Sequence, residues 1–210
     1  MVEQIALHAR LVGERTGRAE LTSEVMAVMG RVPRHEFVPL ELRQFAYLDT
    51  PLPIGYEKTI SQPFIVALMT DFLQLGPDDR VLEIGTGLGY QAAVLANLCN
   101  HVYSVEFIEE LARGAQRRLR DIGYENIQLK TGDGSVGWVE HAPFDKILVA
   151  AAPELVPTSL LNQLKPGGRM VVPAGIEDAQ QLMVVTKSAQ GQLTMTEILP
   201  VRFSALMTSN

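Results

Sequence analysis

Residues 81–90 read Val81-Leu82-Glu83-Ile84-Gly85-Thr86-Gly87-Leu88-Gly89-Tyr90, and this stretch decides the fold. A short apolar run with one acidic residue ends in three alternating glycines, and an alanine-containing helical pattern follows them. A ligand that lies against a backbone turn leaves no room for side chains, so Gly85, Gly87 and Gly89 indicate close approach by a small molecule. The dinucleotide fingerprint Gly-x-Gly-x-x-Gly is not met, because Tyr90 occupies the place of its last glycine.

The spacing Glu-x-Gly-x-Gly-x-Gly resembles the nucleotide loop of S-adenosylmethionine-dependent methyltransferases. Residues 85–89 are called the glycine loop below. The resemblance implies S-adenosyl-L-methionine as the cofactor and S-adenosyl-L-homocysteine as its product. An ordinary tight turn between a strand and a helix is the structural alternative, but turn chemistry alone does not require three alternating glycines.

Length and composition favour an ordinary globular domain. The chain has 210 residues, of which 47% are hydrophobic and 20% are charged, and this excludes a disordered chain. The formal net charge is −6 and no block of Lys and Arg occurs, so we expect no nucleic-acid partner. The sequence shows no signal-peptide pattern and no stretch as long as a membrane helix, so we expect no membrane partner and a cytoplasmic protein.

Several classes of reactive site lack their sequence signature. Cys99 is the single cysteine, so we expect a buried thiol and no internal disulfide. The four histidines are scattered without ligand spacing, and we expect no metal site. Neither the Gly-x-Ser-x-Gly elbow of hydrolases nor the lysine of a P-loop is present.

The pattern changes near residue 80 from helical to alternating strands and helices. Strands are predicted over 80–84, 101–106, 127–131, 144–152 and 169–173, helices over 90–98, 108–122 and 156–164, and a closing hairpin over 181–187 and 193–206. This alternation predicts an α/β fold with a doubly wound, mostly parallel sheet of the Rossmann-like methyltransferase type. We expect one domain over 1–210, in which 1–78 form a helical N-terminal lid and 79–210 form the cofactor-binding core.

The N-terminal part contains two further local signals. Pro51 and Pro53 make residues 49–55 extended or turning. Pro63 is well placed for the first turn of a helix that runs to about Leu75, and Ser61 is predicted to be its N-cap.

Acidic residues follow the predicted strands at the edge where such sheets bind ligands. Glu106 ends the second strand, and a carboxylate there can accept hydrogen bonds from both ribose hydroxyls. Asp133 follows the third strand and can accept from an adenine amino group, while Gly132 and Gly134 leave room for the ring. Glu83 either acts on the site, by orienting the glycine loop or by reaching the methionine part of the ligand, or makes only a structural hydrogen bond to loop amides. The residue pattern favours neither the functional nor the structural interpretation.

Further blocks occur in order along the chain: Arg31–Pro39, Pro51–Tyr56, Thr59–Pro63, Gly132–Gly134 with Gly137-Trp138, Ala142–Asp145, Ala150–Pro153 and Leu164–Gly168. Together with the glycine loop they resemble the bacterial protein-L-isoaspartate O-methyltransferase family over nearly the whole chain. The block Thr59-Ile60-Ser61-Gln62-Pro63 distinguishes this family from other methyltransferases. Residues 59–63 are called the substrate segment below.

The resemblance implies methylation of the free α-carboxylate of L-isoaspartyl residues in damaged proteins and peptides, which starts their repair through a succinimide. It implies catalytic roles for Thr59 and Ser61, which face the substrate carboxylate. It implies cofactor contacts by Glu83, Gly85, Thr86, Gly87, Gly89, Tyr90, Glu106, Asp133 and Gly134. We expect a monomer. A related carboxyl methyltransferase for a different peptide or protein carboxylate is the alternative function, and a non-catalytic cofactor-binding protein is a third.

Three positions depart from the family pattern. Glu57-Lys58 stands where bacterial members usually have Gly-Gln. Leu88 replaces a usual small residue in the glycine loop, so that it either needs a roomier site or points away from the ligand. Ser204-Ala205-Leu206 follows Val201-Arg202-Phe203 where Val-Pro-Leu is usual. The first and third departures bear on substrate binding more than on chemistry.

Overall fold

The computed structural model describes residues 1–209, and the N-terminal part is mainly helical. Its elements are α1 (Val2–Leu11), α2 (Gly13–Thr16), α3 (Ser23–Arg31), β1 (Leu52–Gly55), β2 (Lys58–Ile60) and α4 (Pro63–Leu73). The hairpin of β1 and β2 is antiparallel. The sequence predicted only extended or turning backbone here. Pro53 fits within β1 because a two-stranded ribbon has free edges.

A seven-stranded sheet follows, with its strands and helices in the predicted order. Its elements are β3 (Arg80–Ile84), α5 (Tyr90–Ala96), β4 (His101–Glu106), α6 (Glu109–Ile122), β5 (Ile127–Thr131), β6 (Phe144–Val149), α7 (Thr158–Gln163), β7 (Leu164–Ala174), β8 (Gln180–Lys187) and β9 (Leu193–Val201).

The sheet has the strand order β5-β4-β3-β6-β7-β8-β9. Strands β3 to β7 pair in parallel, and β8 and β9 join them as antiparallel strands. The predicted doubly wound, mostly parallel sheet is therefore confirmed. Because β4 and β5 lie on one side of β3 while β6 and β7 lie on the other, the winding reverses between β3 and β6. Such a reversal opens a crevice at the carboxyl ends of the strands, where ligands bind.

The predicted end of the fourth strand is wrong. Strand β6 ends at Val149 rather than at residue 152. Beyond it, the Ala150 N–H donates to the Ile84 carbonyl at 2.7 Å, and Ala152 forms an isolated bridge with Ala205. The chain leaves the sheet here because residues near the C-terminus pair with it.

The boundaries of α7, β7 and β9 also differ from prediction. Helix α7 begins only at Thr158, because Pro157 is extended and acts as its N-cap residue. Residues 165–168, predicted as a closing turn, lie within β7, where the register with β6 shifts. Strand β9 ends at Val201 and not at residue 206, and the chain beyond it crosses the crevice instead.

Two hydrophobic clusters cover the two faces of the sheet. Ile5 of α1 and Phe64 of α4 belong to the same cluster as Val81 of β3. Leu82, the next residue along β3, belongs to the other cluster together with Leu160 of α7. Successive strand residues point to opposite faces, so the N-terminal helices cover the first face. Across residues 1–209, none of the helices combines the length and the apolar character needed to cross a membrane.

Candidate active site

The glycine loop connects β3 to α5 at the carboxyl edge of the sheet. Gly85, Gly87 and Gly89 have φ angles of 91°, 55° and 90°, a region that side chains disfavour. The Gly85 N–H donates to the Val105 carbonyl and the Gly89 N–H to the Thr86 carbonyl, both at 2.8 Å. The sequence explained these glycines by the approach of a ligand. The backbone conformation supplies a second reason, and Gly85 and Gly87 also line a cavity.

Glu106 joins the end of β4 to the glycine loop. Its Oε2 accepts from the Gly87 N–H at 2.7 Å and its Oε1 accepts from the Ile108 N–H at 3.0 Å. The side chain is buried but lines the cavity. A carboxylate has about four lone-pair positions, so two remain for ribose hydroxyls. The sequence did not reveal the bond to Gly87, because no local pattern marks a contact between two separate strand ends.

Asp133 lies just after β5 and binds two backbone amides. Its Oδ1 accepts from the Ser135 N–H at 2.8 Å, and its Oδ2 accepts from the Ser209 N–H at 2.7 Å. Partial burial favours a higher pKa, but these hydrogen bonds outweigh it and lower the pKa of Asp133. Residues 204–209 are called the tail segment below. Its arrival at the proposed adenine acceptor was not predicted.

Gly134 has a packing reason for its missing side chain. A Cβ at this position would collide with the side chain of Ile84 in β3. This contact is a second reason for glycine here, and the predicted role of Gly134, to leave room for an adenine ring, stays a prediction. Gly134 lines the same cavity as Glu106.

Glu83 lies in β3 behind the glycine loop, where it is buried together with the hydroxyl groups of Ser104 and Thr86. The Ser104 hydroxyl donates to Glu83 Oε2, and Ser104 Oγ lies 2.6 Å from Thr86 Oγ1. Burial raises the pKa of Glu83 to about 8, against an ordinary value of 4.5. Of the roles left open by the sequence, this geometry favours orientation of the loop, because Glu83 reaches Thr86 through the Ser104 hydroxyl.

Tyr90 begins α5 and is buried beside the loop. Its ring lies 4.7 Å from the guanidinium carbon of Arg34, and burial raises its pKa to about 12. Tyr90 lines a small cavity together with Thr86 and Ser61, so it lies between the predicted cofactor and substrate residues. Leu88 is half-buried and packs against the core.

The substrate segment lies against the glycine loop. Thr59 is exposed in β2, and Ser61 follows it half-buried before α4. Both residues line the same cavity as Gly85 and Gly87. The fold therefore brings together the two segments that the sequence placed in separate roles.

Ser61 is not the N-cap of α4, contrary to the prediction. The N-cap residue is Gln62, and the Phe64 N–H is instead bound by Asp49 Oδ1 at 2.8 Å. The other oxygen of Asp49 binds His8 Nδ1. Asp49 therefore does the capping, which leaves the Ser61 side chain available for a ligand. The sequence offers no signal for this, because Asp49 lies in an irregular stretch well before the helix.

Two further spaces meet at the substrate segment, beside the small cavity that Ser61 and Tyr90 line. A cavity of about 80 Å³ is lined by Gly85, Gly87, Glu106 and the tail segment. A groove of about 560 Å³ lies beside it, between α1, α4 and the end of β9, and Thr59 lines both. The arrangement suits a small ligand on the loop and a larger chain in the groove. Within residues 1–209, no cluster of three or more His, Cys, Asp or Glu side chains has a metal-binding arrangement.

Comparison with known proteins identifies the family. A Polaromonas sp. protein named protein-L-isoaspartate O-methyltransferase 1 is 58% identical over 206 residues, which cover 98% of this chain and 87% of the relative. A solved protein-L-isoaspartate O-methyltransferase structure superposes with a TM-score of 0.82 at 30% identity, over 98% of this chain and 65% of that chain. A Plasmodium falciparum protein in complex with S-adenosyl-L-homocysteine shares the fold, with a TM-score of 0.79 at 21% identity over 99% of this chain and 98% of that chain.

The family model for protein-L-isoaspartate(D-aspartate) O-methyltransferase matches residues 8–210. This match spans the substrate segment, the glycine loop and the tail segment, and it confirms the resemblance found in the sequence. The chain belongs to the protein-L-isoaspartate(D-aspartate) O-methyltransferase family.

Proposed function

We propose that this chain transfers the methyl group of S-adenosyl-L-methionine to the free α-carboxylate of L-isoaspartyl residues in damaged proteins, which starts their repair through a succinimide. One observation carries the proposal: Thr59 and Ser61 line the same cavity as Gly85 and Gly87. A substrate carboxylate held by these hydroxyls lies next to the loop that holds the methyl donor. Membership of the family supports the identity of both ligands.

The residues at the crevice fit S-adenosylmethionine. Glu106 and Asp133 present carboxylate oxygens after neighbouring strands, and these are suitable acceptors for ribose hydroxyls and an adenine amino group. Gly87 leaves backbone uncovered beside them. When bound, the cofactor supplies a methyl group activated by a sulfonium.

Positioning is the chemical task of Thr59 and Ser61. A carboxylate has an ordinary pKa of about 4, so it is already ionised at neutral pH and needs no general base. Hydrogen bonds from the two hydroxyls orient it, and alignment of bound reactants contributes roughly 7–11 kcal/mol in favourable cases. Very strong hydrogen bonds would lower the nucleophilicity of the carboxylate. We therefore assign to the two hydroxyls the role of orienting it. We propose that residues 1–78 act as a lid that excludes water, which is supported by Ile54 and Thr59 lining the cavities beside the glycine loop.

The proposal includes a single-chain enzyme in the cytoplasm. Thr59, Ser61, Glu106 and Gly134 of one chain line adjoining cavities, so the site we propose is built within a single chain and a monomer suffices for it. The methyl donor is an intracellular metabolite, which supports the location. A formal net charge of −6 supports the absence of a nucleic-acid partner. Light scattering on the purified chain tests the monomer.

Paired peptides test the activity. We expect label from methyl-labelled S-adenosylmethionine on a peptide with L-isoaspartate and almost none on the same peptide with aspartate. The carboxylates of the two peptides differ in place by one methylene, and a misplacement of about 1 Å can cost on the order of a hundredfold. The product ester should release methanol in mild alkali. Equal labelling of both peptides would instead support the alternative carboxyl methyltransferase.

Replacement of Ser61 tests the positioning role. Ser61→Ala should reduce turnover partially and leave cofactor affinity unchanged, because the hydroxyl orients the carboxylate only. Ser188→Ala is the matched control, since Ser188 lies in the distant turn between β8 and β9. Wild-type turnover in Ser61→Ala would remove Ser61 from the mechanism.

A further inference from the structure

Arg34 is a charged side chain that is wholly buried, with 0% exposure. It lies in a 3-10 turn (Arg34–Glu36) between α3 and β1. Its hydrogen bonds go to carbonyl oxygens, and its Nη1 has no partner within residues 1–209. Burial lowers its pKa. A buried cation is costly to a fold, and the charge of the nearby Asp49 opposes the effect of burial on this pKa without cancelling it.

The three contacts of Arg34 join separate parts of the chain. Its Nε donates to the Ala46 carbonyl at 2.9 Å, and its Nη2 donates to the Ser61 carbonyl at 2.7 Å. Its guanidinium carbon lies 4.7 Å from the centroid of the Tyr90 ring. Ser61 belongs to the substrate segment, and Tyr90 directly follows the glycine loop. Arg34 thus connects the two halves of the candidate active site.

The guanidinium is suited to this connection by its shape. It is planar, its donors have fixed directions, and it stacks on aromatic rings, so that one group holds two carbonyls and a ring at once. A lysine ammonium is a point charge on a flexible stem and cannot do the same. Ser61 precedes α4 and follows β2, so it belongs to neither element. The hydrogen bond from Arg34 is therefore what holds Ser61 near Tyr90.

We propose that Arg34 is a positioning residue for methyl transfer: it holds the Ser61 carbonyl in a fixed place relative to the glycine loop, so that the Ser61 hydroxyl meets the substrate carboxylate beside the methyl donor. This inference rests on the proposed function. Arg34 acts through Ser61 and does not touch the reacting atoms.

Arg34→Lys is the informative variant, measured with the full chain on the isoaspartyl peptide. We expect kcat to fall about tenfold or more, because loss of alignment acts on the chemical step. The peptide KM and the cofactor Kd should change by less than about threefold, since the groove and the glycine loop keep their own residues. In Arg34→Ala, millimolar guanidinium chloride should restore part of kcat, whereas sodium chloride at the same concentration should not.

Phe37→Leu is the matched control. Phe37 is also fully buried and packs on the Tyr90 ring, with centroids 5.5 Å apart. Its loss should lower the melting temperature but leave kcat near the wild-type value, which separates alignment from simple packing.

Three outcomes would overturn the inference. They are an unchanged kcat in Arg34→Lys, an equal loss of kcat in Phe37→Leu, and failure of Arg34→Lys to fold, which would make Arg34 a residue of the fold and not of the reaction. Absence of turnover in the wild-type chain would contradict the proposed function instead.

Discussion

Glu83→Gln should make the protein more stable at neutral and alkaline pH. Glu83 is 0% exposed, and burial raises its pKa to about 8 from an ordinary 4.5. Between pH 4.5 and about pH 8, the Glu83 carboxyl is therefore protonated in the native state and ionised in the unfolded chain. The contribution of Glu83 to stability is fully present below pH 4.5 and is lost as pH rises towards 8. Glutamine has nearly the same shape and carries no proton that titrates.

The size of the effect follows from these two pKa values. At about 1.36 kcal/mol for each pH unit between them, keeping Glu83 protonated costs about 3 kcal/mol at pH 7 and only about 1 kcal/mol at pH 5. The free energy of unfolding of Glu83→Gln, minus that of the wild type, should thus increase by about 3.5 kcal/mol between pH 5 and pH 8. Changes in packing are independent of pH and cancel in this comparison, and the bond from Ser104 already acts on the pKa of Glu83.

Urea denaturation at several pH values measures this difference. Glu125→Gln is the matched control, because it removes an exposed carboxylate from the turn before β5, and its stability curve should stay parallel to that of the wild type. Parallel curves for Glu83→Gln and the wild type from pH 5 to pH 8 would refute the reasoning, since they would show that Glu83 titrates alike in the folded and unfolded chain.

Substitutions at three further positions test the site and the hairpin. Glu106→Ala should weaken S-adenosylmethionine binding about ten- to a hundredfold in a calorimetric titration, from the loss of hydrogen bonds worth about 1.5–3 kcal/mol; unchanged affinity in a folded variant would exclude Glu106 from the site. Ser209→Pro lacks the N–H that binds Asp133, so cofactor affinity should rise severalfold, whereas Ser209→Ala keeps the N–H and should match the wild type. Equal affinity in both variants would contradict this. Glu57 has a φ of 56°, so Glu57→Gly should raise the free energy of unfolding by about 0.5–1 kcal/mol, while Glu57→Ala should show no gain.

Local patterns in the sequence predicted the sheet and the glycine loop. Alternating strands and helices set the order of elements, and three glycines at fixed spacing marked a turn whose φ angles are all positive. Glu106 was predicted from its place at a strand end, because parallel strands end at one edge of a sheet. These features depend on neighbours in sequence or on a general rule of α/β folds.

Contacts between distant residues could not be predicted. Asp49 accepts from the Phe64 N–H at the start of α4, and Glu106 accepts from the Gly87 N–H of the glycine loop. Arg34 donates to the Ser61 carbonyl. Each contact joins two irregular or terminal positions, where neither periodicity nor turn chemistry carries a signal. The left-handed φ of Glu57 was also not predicted. The glycine that is usual in the family at this position was a hint of it.

The tail segment bears on how the cofactor reaches its site. The cavity that it lines measures about 80 Å³, whereas small-molecule sites typically span roughly 300–1,000 Å³, so we expect part of the lining to move when the cofactor binds. The Ala152 N–H donates to the Ser204 carbonyl and the Leu206 N–H donates to the Ala152 carbonyl, both at 2.8 Å, and these bonds fix residues 204–206. Beyond them, one exposed hydrogen bond joins Ser209 to Asp133. The glycine loop is held by Glu106 and by bonds to its neighbouring strands, so opening it would break several buried hydrogen bonds. Residues 207–209 are therefore the part of the lining whose displacement breaks the fewest hydrogen bonds. The Ser209→Pro variant measures the free energy of the bond from Ser209 to Asp133 directly.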